Sequence, residues 1–241
     1  MSAASSTLVF EVLLDVEFIR FNDDATIVPS TNKHVLSAIN DFEDKRWRYS
    51  RFQNFVWDNI VETALSSTER EKLIHQSHSL LTEAAKSLRL TDSAKDDIGR
   101  GSELAEIVLY GFMKHHYQAL PVVPKIFYKQ NSQDNAKGAD SVHIVVDGDD
   151  FSVWLGEAKF YSNIEDARLS AIVDSVGKAL QTEKLKKENS IITNVRDLDT
   201  LVGDAELRKR IKNCLRPQNS MDTIKSRLHV PILLLLSLIH I

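Results

Sequence analysis

Asp140, Glu157 and Lys159 are the residues of this chain whose types and spacing suit bond-breaking chemistry. Asp147-Gly148-Asp149-Asp150 separates two apolar runs and is a strong turn signal, so the flanking segments are expected to form a β-hairpin. A turn centred on Gly148 and Asp149 puts Asp140 opposite Glu157 on one face, with Cβ atoms about 5 Å apart. A two-residue Asp147-Gly148 loop would shift the pairing by two positions and keep the face; only an odd-length loop or a bulge would separate the two acids. Lys159, two residues beyond Glu157, points to the same side. The strand Phe151–Phe160 is apolar on both faces, as a central strand would be. An ionised Glu and Lys near its end are costly to bury without compensation. Mutual pairing is one compensation and a divalent cation held by the carboxylates is another.

With such a cation the cluster fits metal-assisted phosphodiester hydrolysis. Hard carboxylate oxygens suit Mg2+ or Mn2+, which polarise a phosphate and acidify an attacking water. Lys159 would orient or deprotonate that water, or stabilise charge on the pentavalent phosphorus. The alternative is a structural ion pair with an Asp near a turn.

The elements expected around these residues are as follows. Leu8–Phe21 reads as one or two strands. From Asn32 to about Leu90 the pattern is helical, with Phe42, Tyr49, Phe52, Val56 and Ile60 as a core-facing stripe. Ser66 with Glu69 forms a capping-box signature. Asp92–Gly101 is the best internal boundary, dividing a mostly helical region, 1–98, from a core, 99–241. In the core we expect a helix at Ser102–Tyr117, then strands at Val122–Tyr128, Asp140–Val146 and Phe151–Phe160. A long helix from about Glu165 to Glu188 follows, then a strand at Ser190–Thr193, a helix at Asp199–Cys214 and a strand at His229–Leu236. That order predicts an α/β sheet with helices on both faces.

Composition narrows the function classes. Eight glycines and five prolines in 241 residues are less than half the usual share, which favours long helices over turn-rich all-β folds. A net charge of −4 excludes a protein that coats nucleic acid by global charge, so a nucleic-acid role needs a local basic surface, a metal or a partner. The one cysteine, Cys214, excludes an intramolecular disulfide and a thiolate zinc cluster, and fits the reducing cytoplasm as an inert thiol. The longest apolar tract, Val230–Leu236, is far short of a spanning helix, and no secretion signal is visible; the expectation is a soluble protein with no membrane partner.

The order Asp140, then Glu157-Ala158-Lys159 on the next strand, resembles the PD-(D/E)xK nuclease superfamily, with Ala139 where the superfamily name has Pro. The wider string Arg100-Gly-Ser-Glu-Leu-Ala-Glu106-Ile-Val-Leu-Tyr110, with Lys137-Gly-Ala-Asp140 and Gly156-Glu-Ala-Lys-Phe-Tyr161, resembles the HamA family, the nuclease subunit of the Hachiman antiphage defence system. The resemblance covers roughly Gly99–Leu236. It implies a restriction-endonuclease-like core and a metal-dependent DNA nuclease working with a superfamily 2 helicase, HamB, that restrains it. It also implies Asp140, Glu157 and Lys159 as the catalytic set. It implies Glu106 as the helix acid that completes the metal site, with Glu103, one turn earlier on the same face, as the substitute candidate. Gln181, on the helix after Glu157-Ala-Lys159, is a candidate polar helper. The chain stops where the family would continue, and Ser237–Ile241 resembles translated adapter read-through, so a longer native C-terminus is expected. A catalytically idle subunit docked on a helicase or DNA is the second reading; a stand-alone restriction-type endonuclease is the third.

Other polar clusters carry less. His75 with His78, and His115-His116, lack a third ligand and read as surface or capping histidines. Lys45–Arg51 interleaves cations with aromatics, but on a helix its aromatics would join the core stripe. Lys184, Lys186 and Lys187, and Arg208-Lys209-Arg210 with Lys212, are candidate phosphate contacts, though cations near helix ends are also expected from the macrodipole. No Lys-Ser/Thr follows Gly99 and Gly101, so no nucleotide-binding loop is expected.

Overall fold

The computed structural model describes residues 42–47, 49–88, 102–123, 125–126, 139–161, 166–194 and 196–236. Leu8–Phe21, Asp92–Gly101, Lys137-Gly138 and Ser237–Ile241 lie outside them. The chain divides into two units between Phe55 and Val56, inside the first helix.

The first unit differs from expectation. Phe42–Glu43 (β1) and Arg46–Trp47 (β2) form a two-stranded hairpin in which Phe42 pairs with Trp47. Asp44 and Lys45 take the turn at positive φ, 51° and 61°. Among the described residues the first helix starts at Tyr49, and Tyr49 is exposed rather than part of a core stripe. The basic-aromatic run Lys45–Arg51 is split between a turn, a strand and the start of that helix.

Before the sheet come the helices Tyr49–Ala64 (α1), which belongs to the second unit from Val56 on, Ser67–Lys72 (α2) and Ser77–Lys86 (α3). The capping box is present at α2, where Ser66 Oγ accepts from the Glu69 N–H and the Glu69 carboxylate accepts from the Ser66 N–H. Ile60, Ala64 and Leu65 of the α1 end, with Ala84 and Leu88, form a small core with Ile107 and Ile126.

Ser102–His116 (α4) leads to Leu120–Val123 (β3), Ser141–Asp147 (β4) and Asp150–Tyr161 (β5). β3 is shorter than expected; Lys125 and Ile126 are already helical. The hairpin β4–β5 turns on Gly148-Asp149 as anticipated, with Asp147 paired to Asp150 and Ser141 to Gly156. Gly148 sits at φ 55°, the left-handed conformation that glycine adopts without a Cβ penalty.

Asp166–Ala179 (α5) and Thr182–Asn194 (α6) replace the single long helix, with a break at Leu180-Gln181. The Ser190–Thr193 strand is not formed. Those residues continue α6, because Leu185, Glu188, Asn189 and Ile192 recur at helical steps and are all buried on one face. Arg196–Leu201 (α7) and Ala205–Cys214 (α8) likewise replace one helix, since Asp204 starts a new one by accepting from the Glu206 and Leu207 N–H groups. Leu228–His229 (β6) and Ile232–Leu236 (β7) then pair parallel to β5, which makes the sheet mixed.

β5 is therefore the central strand, with β4 on one side and β6 and β7 on the other. Its alternate residues define two layers. Trp154, Ala158 and Phe160 pack with Ala105, Leu109 and Met113 of α4. Phe151, Val153 and Leu155 pack with Val142, Ile144, Leu185, Ile192, Leu198, Leu207 and Ile211. Helices thus cover both faces. Among the described residues no helix is long and apolar enough to cross a membrane.

Gly156 is where the α4 layer comes closest. A Cβ there would overlap Ser141 Oγ and lie 2.7 Å from Leu109 Cδ2. Gly156→Ala should lower stability by about 1–3 kcal/mol through overpacking, read as a reduced urea midpoint at unchanged slope.

Candidate functional site

The open end of the β4–β5 hairpin gathers the reactive side chains. Glu157 is 5% exposed, and its Oε1 accepts from Ser175 Oγ of α5 at 2.6 Å and pairs with Lys159 Nζ at 2.5 Å. Lys159 Nζ also lies 3.6 Å from Asp140 Oδ2. One ammonium therefore draws both carboxylates together, as the shared strand face requires.

Asp140 reaches this point by an unexpected route. It sits in a bend just before β4 rather than in a pair with Glu157. Its N–H donates to the Gly156 carbonyl at 2.7 Å, and its Oδ2 accepts from the Ala158 N–H at 3.0 Å. The Glu157 N–H points to the other neighbour and donates to the Pro231 carbonyl. The side chain of Asp140 thus takes an acceptor position that a continuing β4 backbone would have supplied.

Burial by itself pulls the Lys159 pKa down. The hydrogen bond to Glu157 and the charges of Asp140 and Glu157 together outweigh it and hold the pKa above the usual lysine value. In this arrangement the ammonium form of Lys159 is favoured by its two acidic neighbours.

Glu106 lies on the other side of the sheet. It is 4% exposed on α4 and shares a narrow cleft with Asp140, Ser141, His143, Tyr110, Lys125 and Thr63. Glu103 is only half-buried and does not line that cleft. Asp140, at the sheet end, is the residue common to both sides: it meets Lys159 on one and the Glu106 cleft on the other. The structure brings Asp140, Glu157 and Lys159 together, and brings Glu106 beside Asp140 but not beside Glu157. Among the described residues no three His, Cys, Asp or Glu side chains form a ready-made cation cage. The donors present are nevertheless hard carboxylate oxygens that already hold a cationic ammonium, so Mg2+ or Mn2+ fits their chemistry.

The sequence reading overlooked His143. It is 1% exposed beside the Tyr110 ring, with centroids 5.3 Å apart, and burial lowers its pKa to about 3. Its position on β4, on the same face as Ser141, was the available signal. Because the folded pKa lies below the unfolded one, the neutral ring's contribution to stability is complete above about pH 6.5. It is lost as pH falls toward about 3, by roughly 1.4 kcal/mol per unit. Urea midpoints measured from pH 7 to 4 should fall for the wild type and fall less steeply for His143→Phe.

The remaining candidates are elsewhere. Gln181 is exposed in the break between α5 and α6. Arg208 and Lys212 pair with Asp199, Arg210 donates to the Asp149 carbonyl at 2.5 Å, and Arg227 pairs with Asp150. Arg210 and Arg227 thus brace the hairpin turn, about 23 Å of strand from Asp140, while Arg208 and Lys212 tie α8 to α7. His75 and His78 are exposed, and burial pushes the Cys214 thiol up, consistent with an unreactive side chain.

No curated protein and no solved structure matches this chain. The model of one family, HamA, matches residues 15–238, which include every residue of the hairpin cluster and Glu106. The protein therefore belongs to the HamA family and is a component of a Hachiman antiphage defence system.

Proposed function

We propose that this chain is the nuclease effector of its Hachiman system, a restriction-endonuclease-like domain that hydrolyses DNA phosphodiesters with Mg2+ or Mn2+ and is controlled by a partner helicase. The observation that carries the reading is the convergence of Asp140 and Glu157 on Lys159 Nζ at the open end of the hairpin. Two acids and an ammonium at a sheet end are the groups that hydrolysis of a phosphodiester needs.

In this reading Asp140 and Glu157 hold the cation. Glu106 orients Asp140 from the α4 side and adds negative charge to the same end of the sheet. Ser175 fixes the Glu157 carboxylate through its hydroxyl. A bound cation would supply polarisation of the phosphate and a lower pKa for nearby water. Lys159 would place its charge on the phosphate oxygens as the water–phosphorus bond forms and the leaving P–O bond breaks. The acidic net charge argues for a partner that delivers DNA, which fits a superfamily 2 helicase of the HamB kind.

The absence of a three-ligand cage among the described residues favours a second reading, an idle nuclease-fold subunit that docks on the helicase or on DNA. Metal-dependent nicking of supercoiled plasmid separates the two: the effector nicks with Mg2+ or Mn2+ and stops in chelator, whereas the idle subunit does neither.

A further inference from the structure

Glu157 does not present its two oxygens equally. The Ser175 hydroxyl donates to Oε1 at 2.6 Å, and Lys159 Nζ lies 2.5 Å from the same atom. A carboxylate oxygen offers about two lone-pair sites, so these two donors fill Oε1, and neither of them engages Oε2. Asp140 repeats the pattern: the Ala158 N–H and Lys159 both address its Oδ2, at 3.0 and 3.6 Å. On each acid one oxygen is given over to donors of the protein itself.

Ser175 reaches Glu157 because α5 is held alongside β5. A hydroxyl inside a helix commonly turns back to the carbonyl four residues earlier. That of Ser175 leaves its helix and donates across to the strand. Buried Ile172 seats α5 on the sheet, and Arg168, stacked over the Tyr161 ring at 5.0 Å, ties the start of the helix to the end of β5. Arg168 and Ser175 are about two turns apart and so share a helix face. Glu157 is itself 5% exposed on the central strand. Turning its carboxylate therefore means breaking a contact between a packed helix and a packed strand.

Divalent cations ask different things of such a carboxylate. Ca2+ takes six to eight oxygens at roughly 2.3–2.6 Å and readily accepts both oxygens of one carboxylate. Mg2+ keeps a near-octahedral shell at about 2.0–2.1 Å, and Mn2+ shares its preference for octahedral oxygen donors. A grip through both oxygens of Glu157 must displace Ser175 or Lys159 from Oε1. A grip through Oε2 alone displaces neither.

We propose that Ser175 is a positioning residue that commits Glu157 to single-oxygen ligation and so selects Mg2+ and Mn2+ over Ca2+. The inference rests on the nuclease reading above and adds what sets the identity of its cation. The test is isothermal titration calorimetry of the full chain with MnCl2, MgCl2 or CaCl2 in the absence of DNA. The wild type should bind Mn2+ and Mg2+ more tightly than Ca2+. Ser175→Ala frees a site on Oε1, so the ratio of Ca2+ to Mn2+ affinity should rise about tenfold, the worth of one hydrogen bond to a charged group. Ser175→Thr keeps the hydroxyl and should return the ratio to that of the wild type. Thermal midpoints in EDTA identify a variant that fails to fold, and Ser175→Cys, whose thiol is a weak donor, then takes the place of Ser175→Ala. An unchanged ratio in Ser175→Ala, an equal loss of affinity for all three cations, or a wild type that prefers Ca2+ would overturn the proposal while leaving the nuclease reading standing. No binding of any of the three cations by the wild type would overturn both.

Discussion

Glu157→Gln should lower Mg2+-dependent plasmid nicking by about 100-fold or more while the protein stays folded. The amide keeps the shape of the side chain and can still accept the Ser175 hydroxyl, so packing around the 5% exposed residue is preserved. What is lost is one of the two negative charges that share Lys159. A thermal-shift series separates loss of the cation from loss of chemistry. A cation that binds only the folded state adds about 2.7 kcal/mol at a hundredfold excess over its dissociation constant. The wild type should therefore be stabilised by Mg2+ or Mn2+ and Glu157→Gln much less. Lys159→Ala is the less informative companion, because it strips the ammonium from a buried carboxylate and so perturbs folding together with chemistry. Equal nicking by wild type and Glu157→Gln would remove the mechanism.

The largest loss of stability should come from a pair that takes no part in that chemistry. Lys125 and Glu188 side chains are 2% and 4% exposed, and Nζ donates to both carboxylate oxygens at 2.7 and 2.6 Å. The pair ties the helical residues after β3 to α6. Lys125→Met leaves the Glu188 carboxylate buried without its counter-charge, and removing one partner of such a pair costs about 3–5 kcal/mol. Urea denaturation should show a much lower midpoint with an unchanged slope. The double variant Lys125→Met/Glu188→Leu should recover most of the loss, because two apolar groups need no mutual charge. A single variant as stable as wild type would mean that water reaches this pair.

Local signals and tertiary constraints contributed differently to these sites. The hairpin register was legible, because Asp147-Gly148-Asp149-Asp150 admits few turns and strand period then dictates which residues share a face. That was enough to predict that Glu157 and Lys159 meet Asp140. The capping box at Ser66 was legible for the same reason, since its partners are three residues apart. The α6 segment was misread as a strand because Ile191, Ile192 and Thr193 favour strands locally, whereas the buried face they continue is set by Leu185 and Asn189. The helical reading held from Tyr49 but failed at Lys45–Trp47, because a two-residue turn at positive φ left no periodicity to detect.

The family was carried by the resemblance of its motifs; residue types and spacing by themselves determined the β4–β5 hairpin and the three groups that meet at its open end, because those depend on interactions within about twenty residues. Only the tertiary structure decided that Asp140 leaves the ladder to accept from Ala158, that Glu106 approaches from the opposite face, and that His143 is buried neutral. It also decided that α5 brings Ser175 and Arg168 alongside β5, while Arg210 of α8 reaches the hairpin turn and Arg208 and Lys212 pair with Asp199 of α7. Those outcomes depend on which helix packs on which face of the sheet, and that is settled by the competition of buried surfaces across the whole domain rather than by any local pattern.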